Sequence, residues 1–242
     1  MGTVNTFVLK EKSDAMETVL ITGASRGIGL ELTRHFLQLG YRVISTYRGK
    51  PSSELSSVAA SGALSLIELE VIDSQSIATL SRLLADTKID ILINNAGIIG
   101  PKDQALDTVE PVDWLNTFAV NTISPLLISR ALIGNLERSA NPRIIALSSM
   151  MGALSRESAG MYAYRSSKAA LNKVMQVLAL ELKAQGIIVC PIHPGWVQTN
   201  MGGPNAEISA RESAAGIVEF VRNLTMAQSG RFFTWEGKPL AW

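Results

Sequence analysis

Thr18-Val-Leu-Ile-Thr-Gly-Ala-Ser-Arg-Gly-Ile-Gly29 decides the fold. The apolar run Thr18 to Ile21 has the length and composition of a buried strand. It breaks at Gly23, turns through Ser25, Arg26 and Gly27, and leads at Ile28 and Gly29 into a helix-like stretch over 28–39. A strand, a glycine turn and a helix make a cradle for a phosphate. Gly23 permits the tight turn, Gly27 lets the backbone approach a pyrophosphate, and Gly29 allows close packing of the helix. The helix N-terminus supplies N–H groups and the positive end of its dipole. The spacing G-x-x-x-G-x-G differs from the dinucleotide fingerprint G-x-G-x-x-G. No Lys-Ser or Lys-Thr follows the last glycine, so this is not a Walker loop. An ordinary turn can carry the same pattern, but its position after the first strand favours a dinucleotide.

Outward from this point, strand-like and helix-like segments alternate. Strands are expected over 19–21, 42–46, 64–70, 89–93, 143–147, 187–192 and 231–234. Helices are expected over 28–39, 76–85, 112–136, 163–182 and 211–223, with a weaker one over 52–60. Asp73 or Ser74 can cap the helix that begins near Ser76. The stretch 195–210 carries Gly202, Gly203 and Pro204 and reads as irregular. Such alternation implies right-handed βαβ units and a doubly wound α/β parallel sheet of about seven strands, Rossmann-type, with helices on both faces. Ligands of such sheets sit beyond the carboxyl ends of the strands, where the strand order reverses. The reading is one domain over 18–242, preceded by a flexible extension over 1–17 that has no apolar core of a secretory signal.

Composition narrows the function classes. The chain has 242 residues, 47% hydrophobic and 18% charged, enough for a sizeable core and unlike a disordered chain. A formal net charge of +1 argues against a nucleic-acid footprint or an anionic membrane surface. Mean hydropathy is +0.20, yet no apolar run reaches the roughly 18 residues of a membrane span. Cys190 is the single cysteine, so no intramolecular disulfide forms, which fits a reducing cytoplasm. Its surroundings, Ile187 to Ile192, mark it as a buried packing residue rather than a nucleophile. His35 and His193 have no metal-ligand spacing, and no metal site is expected.

Tyr164 and Lys168 stand four residues apart in the helix-like stretch 163–182, so both face the same side. A phenol titrates near pKa ~10 and is a poor proton donor or acceptor at neutral pH. A nearby ammonium favours the phenolate. The pair is therefore a device for acid/base work near neutrality. Tyr162 competes for that role, but only Tyr164 has a lysine one turn on.

Taken together, these segments resemble the short-chain dehydrogenase/reductase family over about Thr18 to the C-terminus. The resemblance rests on the glycine turn, Asn94-Asn-Ala-Gly97, Asn121 ahead of Ser124-Pro125, Ser148-Ser149, Tyr164-x-x-x-Lys168 and Pro194-Gly195. Within the family, 162–172, 193–203 and 230–242 are similar to sniffer-type carbonyl reductases and C-factor proteins. The resemblance implies hydride transfer from NAD(P)H to a carbonyl carbon, with Tyr164 protonating the alkoxide. Ser149 would hold the carbonyl oxygen, Lys168 would lower the Tyr164 pKa and hold the nicotinamide ribose, and Asn121 would anchor a proton-relay water. Ser148 is a local rival to Ser149, and which hydroxyl faces the substrate stays open at this point. The resemblance also implies cofactor contacts at Asn94, Ala96 and Gly97, at Glu70 and Val71 near the adenine, and at Pro194, Gly195, Val197 and Thr199 on the nicotinamide side. Met150, Met151, Trp196 and Met201 would line the cleft.

The second strand ends without an acid and runs into Tyr47-Arg48. NADH-preferring sites usually place a carboxylate there for the ribose hydroxyl. Its absence, with Arg48 and Arg26 available to a 2′-phosphate, points to NADPH over NADH. The expected protein is an NADPH-dependent reductase of a small apolar aldehyde, ketone or quinone, assembled as a homodimer or homotetramer through the two long helices. The alternatives are a 3-oxoacyl-thioester reductase and a non-catalytic NAD(P)-binding signalling protein.

Overall fold

The computed structural model describes residues 16–59 and 62–242. The expected N-terminal extension lies outside them as far as residue 15. Glu17 already belongs to the fold: its carbonyl accepts from the Arg42 N–H at 3.0 Å, and its carboxylate lies 3.6 Å from the buried Arg143 guanidinium.

Among the described residues the chain runs β1 (Thr18–Ile21), α1 (Gly27–Gln38), β2 (Arg42–Tyr47), α2 (Ser53–Ala59), β3 (Leu64–Glu68), α3 (Ser74–Leu83) and β4 (Ile91–Asn94). It continues through α4 (Pro111–Phe118), a π-helical turn (Ala119–Ile123), α5 (Ser124–Ala131), α6 (Ile133–Leu136), β5 (Arg143–Leu147) and α7 (Tyr162–Glu181). It closes with β6 (Ile188–His193), β7 (Val197–Gln198), β8 (Ile208–Ser209), α8 (Ala210–Arg222) and β9 (Phe233–Thr234). Seven strands form one parallel sheet in the order β3-β2-β1-β4-β5-β6-β9. The order reverses between β1 and β4, so a crevice opens beyond the carboxyl ends of those two strands.

Strand periodicity divides the core. Val19 and Ile21, Ile91 and Ile93, Ile145 and Leu147, and Ile188, Cys190 and Ile192 pack on one face, with Leu32 and Phe36 of α1 and Ile217 and Val221 of α8. Leu20, Leu92, Ile144, Ala146 and Val189 pack on the other, with Ile77 of α3, Ile128 of α5 and Leu171 and Met175 of α7. A strand buried on both sides must be apolar at every position, as these runs are. Cys190 is fully buried, and burial pushes its thiol up to about 12, which makes it inert packing.

Three expectations change in detail. The helix over 112–136 is broken into α4, a π turn, α5 and α6. Pro125 is the reason: it has no N–H to return to the Asn121 carbonyl four residues back, so the backbone widens there. The Thr122 hydroxyl donates to the Ser167 carbonyl at 2.8 Å and pins the turn onto α7. The strand over 64–70 stops at Glu68, because Asp73 caps α3, accepting from the Gln75 and Ser76 amides at 3.2 and 3.0 Å, and draws the chain away. The irregular stretch 195–210 contains the short parallel pair β7 and β8.

Candidate active site

The glycine turn closes around neighbours that leave no room for side chains. Gly23 is left-handed, φ +67, and a Cβ on it would stand 2.9 Å from the Ala96 Cα. A Cβ on Gly29 would stand 2.5 Å from Asn95 Nδ2 and 2.6 Å from the Gly23 carbonyl. The Thr22 hydroxyl accepts from both the Asn95 and Ala96 amides at 3.0 Å. Ser25 is tied through its carbonyl to the Ser52 hydroxyl at 2.6 Å. Ile28, in the first turn of α1, packs on the core. Arg26 is exposed and extended as the N-cap of α1 and makes no side-chain cap, so no side chain closes off the first amides of the helix. That is the donor set an anion takes at a helix N-terminus.

The two asparagines at the end of β4 part company. Asn94 is buried, and its side chain donates to Ser129 of α5 at 3.1 Å, away from the crevice. Asn95 takes the turn-stabilising part open to either asparagine: it donates to the Thr22 and Gly23 carbonyls at 2.7 and 3.0 Å and clamps the turn. The period of two along an extended chain is the signal that separates them.

Ala96 and Gly97 carry the crevice from the cradle to the acid/base group. A Cβ on Gly97 would lie 3.2 Å from Asn121 Oδ1 and 3.7 Å from Lys168 Nζ. The Asn121 side chain is fully committed: its oxygen accepts from the Ile98 amide at 2.9 Å, and its nitrogen donates to the Ile98 carbonyl and the Ser167 hydroxyl at 2.8 and 3.0 Å. Asn121 therefore ties the β4 loop to α7, and its backbone lies in the π turn.

Tyr164 and Lys168 are both buried in α7. Lys168 Nζ donates to the Leu147 carbonyl at 2.7 Å and stands 6.0 Å from the centre of the Tyr164 ring. Burial brings the Lys168 ammonium down to about 8. Burial raises the Tyr164 phenol above its ordinary value, while the adjacent Ser149 hydroxyl pulls it down. The expected lowering by Lys168 is not what this arrangement shows, because the ammonium sits over the ring and on a carbonyl rather than at the phenol oxygen.

The two serines are also resolved by their partners. Ser148 is turned into the core and donates to Asn172 Oδ1 at 2.6 Å. Ser149 starts the short turn after β5, accepts from the Met151 amide at 3.1 Å, and lies against the Tyr164 hydroxyl. Gln104, unmarked in the sequence, accepts from the Tyr164 amide at 2.9 Å and anchors the start of α7 to the β4 loop. Met161, just ahead, is left-handed at φ +58, a conformation a non-glycine residue adopts at a cost of about 1–2 kcal/mol. Tyr162 is exposed and lies beside Trp114, outside the site.

On the far side, the Pro194 carbonyl accepts from Ser213 at 2.6 Å, Gly195 is left-handed, and Val197 is buried in β7. The Thr199 methyl would lie 3.1 Å from a Cβ on Gly27, so this loop crosses back over the glycine turn. At the other end, exposed Arg48 approaches Glu70, while Val71 is buried in the core. Trp196 and Met201 are exposed, and the Trp196 indole donates to the Gly202 carbonyl at 2.8 Å. Among the described residues, no group of three or more His, Cys, Asp or Glu side chains is placed to hold a metal ion, and no helix is long and apolar enough to cross a membrane.

A glycine cradle at the strand-order switch, beside a buried Ser–Tyr–Lys group, defines a nucleotide-dependent oxidoreductase site. Residues 17–209 match the short chain dehydrogenase family, and the chain belongs to it. C-signal of Myxococcus xanthus is 39% identical over 155 residues, 64% of this chain and 93% of that protein. The carbonyl reductase Sniffer of D. melanogaster superposes with a TM-score of 0.90 at 32% identity, covering 94% of this chain and 100% of that one. A carbonyl reductase from chicken fatty liver, solved with NADPH bound, gives a TM-score of 0.87 at 34% identity, covering 94% and 99%.

Proposed function

We propose that this oxidoreductase reduces an apolar aldehyde, ketone or quinone to the alcohol with NADPH. The observation that carries the reading is the meeting of Ser149, Tyr164 and Lys168 at one end of the crevice whose other end is the glycine cradle. The residues present fit the cofactor. The turn from Gly23 to Gly29 and the uncapped start of α1 suit a pyrophosphate, Arg48, beside Glu70, suits a 2′-phosphate, and Ala96 and Gly97 lead from the cradle to Lys168. The solved chicken carbonyl reductase, similar over nearly the whole chain, holds NADPH. When bound, NADPH supplies the hydride.

The chain's own residues do the rest. Ser149 donates to the carbonyl oxygen and stabilises the charge that grows on it. Tyr164 gives its proton to that oxygen. A phenol raised by burial stays protonated through the neutral range, which suits it as an acid in the reductive direction. Lys168, down at about 8, is close enough to neutrality to pass a proton on. Asn121 holds the β4 loop and α7 at a fixed spacing, and the widened backbone around it is suited to the relay water. Met150, Met151 and exposed Leu154 follow Ser149, and Trp196 and Met201 follow Gly195, so the segments flanking the site are apolar.

A homodimer or homotetramer is part of the proposal, supported by Val112 and Leu115, 72% and 71% exposed on α4 beside α7. The buried free thiol of Cys190 suits a reducing compartment, and a cytoplasmic location completes it. The likeness to C-signal favours one second reading, a signalling protein that binds NADP(H) without turnover. One experiment decides between them: NADPH oxidation followed across a panel of aldehydes, ketones and quinones. Turnover of apolar carbonyls supports the reductase. NADPH binding with no turnover of any compound favours the second reading, and turnover of strongly charged carbonyls alone rejects the apolar substrate.

A further inference from the structure

Gly195 is packed against residues from two other parts of the chain, Ile208 and Trp235. Gly195 follows Pro194 at the end of β6 in a left-handed conformation, φ +90. A Cβ there would stand 2.6 Å from Ile208 Cδ1, 3.2 Å from Trp235 Cδ1 and 3.3 Å from Trp235 Nε1. The same indole fills the space before Gly216 of α8, where a Cβ would stand 2.2 Å from Trp235 Cε3 and 2.7 Å from Cζ3. Trp235 is thus wedged between a turn of the crevice and a helix on the outer face of the sheet.

The wedge is itself firmly held. Trp235 leaves β9, which pairs with β6, and lies in a tight turn where the Thr234 amide donates to the Lys238 carbonyl at 2.8 Å and the Gly237 amide to the Thr234 carbonyl at 2.9 Å. The Ser213 hydroxyl ties the Pro194 carbonyl to the same helix that backs the indole. Beyond Gly195, the chain runs through β7 to Thr199, which lies over Gly27. The Pro194–Gly195 turn leaves β6 next to the serine pair, since the Ser148 amide donates to the Ile192 carbonyl at 2.8 Å. It therefore borders the reacting end of the crevice. The cradle, Arg48 and Glu70 border the other end.

We infer that Trp235 is a positioning residue for the nicotinamide half of the dinucleotide site: its indole, backed by Gly216, sets the Pro194–Gly195 turn and the Thr199 segment that follows. The inference rests on the proposed NADPH reading. It predicts an asymmetric defect, because the adenosine half is held by β1, β2 and their turns.

The test is calorimetric titration of NADPH and of adenosine 2′,5′-bisphosphate, which lacks the nicotinamide half, into wild-type protein and variants. Trp235→Ala is expected to weaken NADPH by about tenfold, as for about one hydrogen bond lost on the nicotinamide side. It should leave the bisphosphate within about twofold, as expected for sites that do not share partners, and Trp235→Phe, which keeps a flat ring, should retain most of the NADPH affinity. Gly216→Ala is compatible with a helix and pushes the indole from behind, so it should give the same NADPH-selective loss. In the Trp235→Ala background the added methyl no longer meets the ring and faces only the carbonyl of residue 235, 2.9 Å away, so it should cost less than in wild type. If Trp235→Ala fails to fold, Gly216→Ala and Trp235→Phe still carry the test. Equal weakening of both ligands, additive losses in the double variant, or a Gly216→Ala protein that binds NADPH like wild type would each overturn the inference alone. Wild-type protein that leaves NADPH unbound would overturn the cofactor reading, and this inference with it.

Discussion

The Arg48 guanidinium, one residue beyond β2, stands 3.7 Å from the Glu70 carboxylate, just beyond β3. The parallel pairing of Tyr47 with Glu68, extended by the Leu69 amide donating to the Tyr47 carbonyl at 2.8 Å, brings the two strand ends together. An exposed pair of this kind is worth at most about 1 kcal/mol. A charge-assisted contact to a phosphate is worth about 1.5–3 kcal/mol. The guanidinium should therefore leave Glu70 for a 2′-phosphate. Arg48→Ala is expected to raise the NADPH dissociation constant by about ten- to a hundredfold and to leave NADH nearly unchanged. Fluorescence titration with both cofactors checks it; equal weakening of the two would show that Arg48 does not read the phosphate.

Tyr164→Phe keeps the ring in its buried slot and removes only the proton. Turnover should fall by about 10²–10⁴-fold, with NADPH affinity little changed. Steady-state kinetics beside equilibrium binding decide it, and near-normal reduction by the variant would end the acid assignment.

Asn95→Ala removes the two hydrogen bonds that clamp the Thr22 and Gly23 carbonyls. NADPH affinity should drop by up to about tenfold. Asn94→Ala should leave affinity unchanged and lower stability instead, since its side chain faces Ser129 in the core. Binding and thermal melting of the two variants should show opposite patterns; equal binding losses would contradict the division of roles.

Lys168 makes stability depend on pH in a definite direction. Its folded pKa, about 8, lies below the unfolded value of about 10.4. Between these values the unfolded chain holds a proton that the folded one lacks, so this group makes stability rise with pH, by about 1.4 kcal/mol per unit at most. Below about 8 its contribution is flat. Cys190, pushed up to about 12, acts in the opposite sense above its unfolded pKa, so the wild-type curve alone is ambiguous. The difference between wild type and Lys168→Met isolates the lysine. Urea denaturation from pH 7 to 10 should show wild type gaining on the variant as pH rises, and parallel curves would refute the burial argument.

Leu115→Glu places a charge at the centre of the exposed apolar face of α4. The expected result is a monomer by light scattering at micromolar concentration, against an oligomer for wild type. A monomeric wild-type protein would refute the assembly.

The order of strands and helices, the glycine turn and the Tyr164–Lys168 pair were legible in the chain because each is local. Apolar runs set the strands, two glycines set the turn, and one helical turn sets the spacing of acid and base. Ser148 against Ser149 and Asn94 against Asn95 were not legible, because adjacent residues on an extended strand end differ only in which face they present. That face depends on α5, α7 and the opposing loop. The broken helix around Asn121 was half legible in Pro125, but the shape it takes depends on Thr122 and Asn121 bonding to α7. The roles of Gln104 and Trp235 were invisible. Each reaches the site from another part of the chain, across 60 residues from Gln104 to Tyr164, and only the packed fold creates those contacts. The phenol tells the same story: the sequence pairs it with a lysine, but its pKa is governed by burial, a property of the surrounding side chains rather than of its own helix.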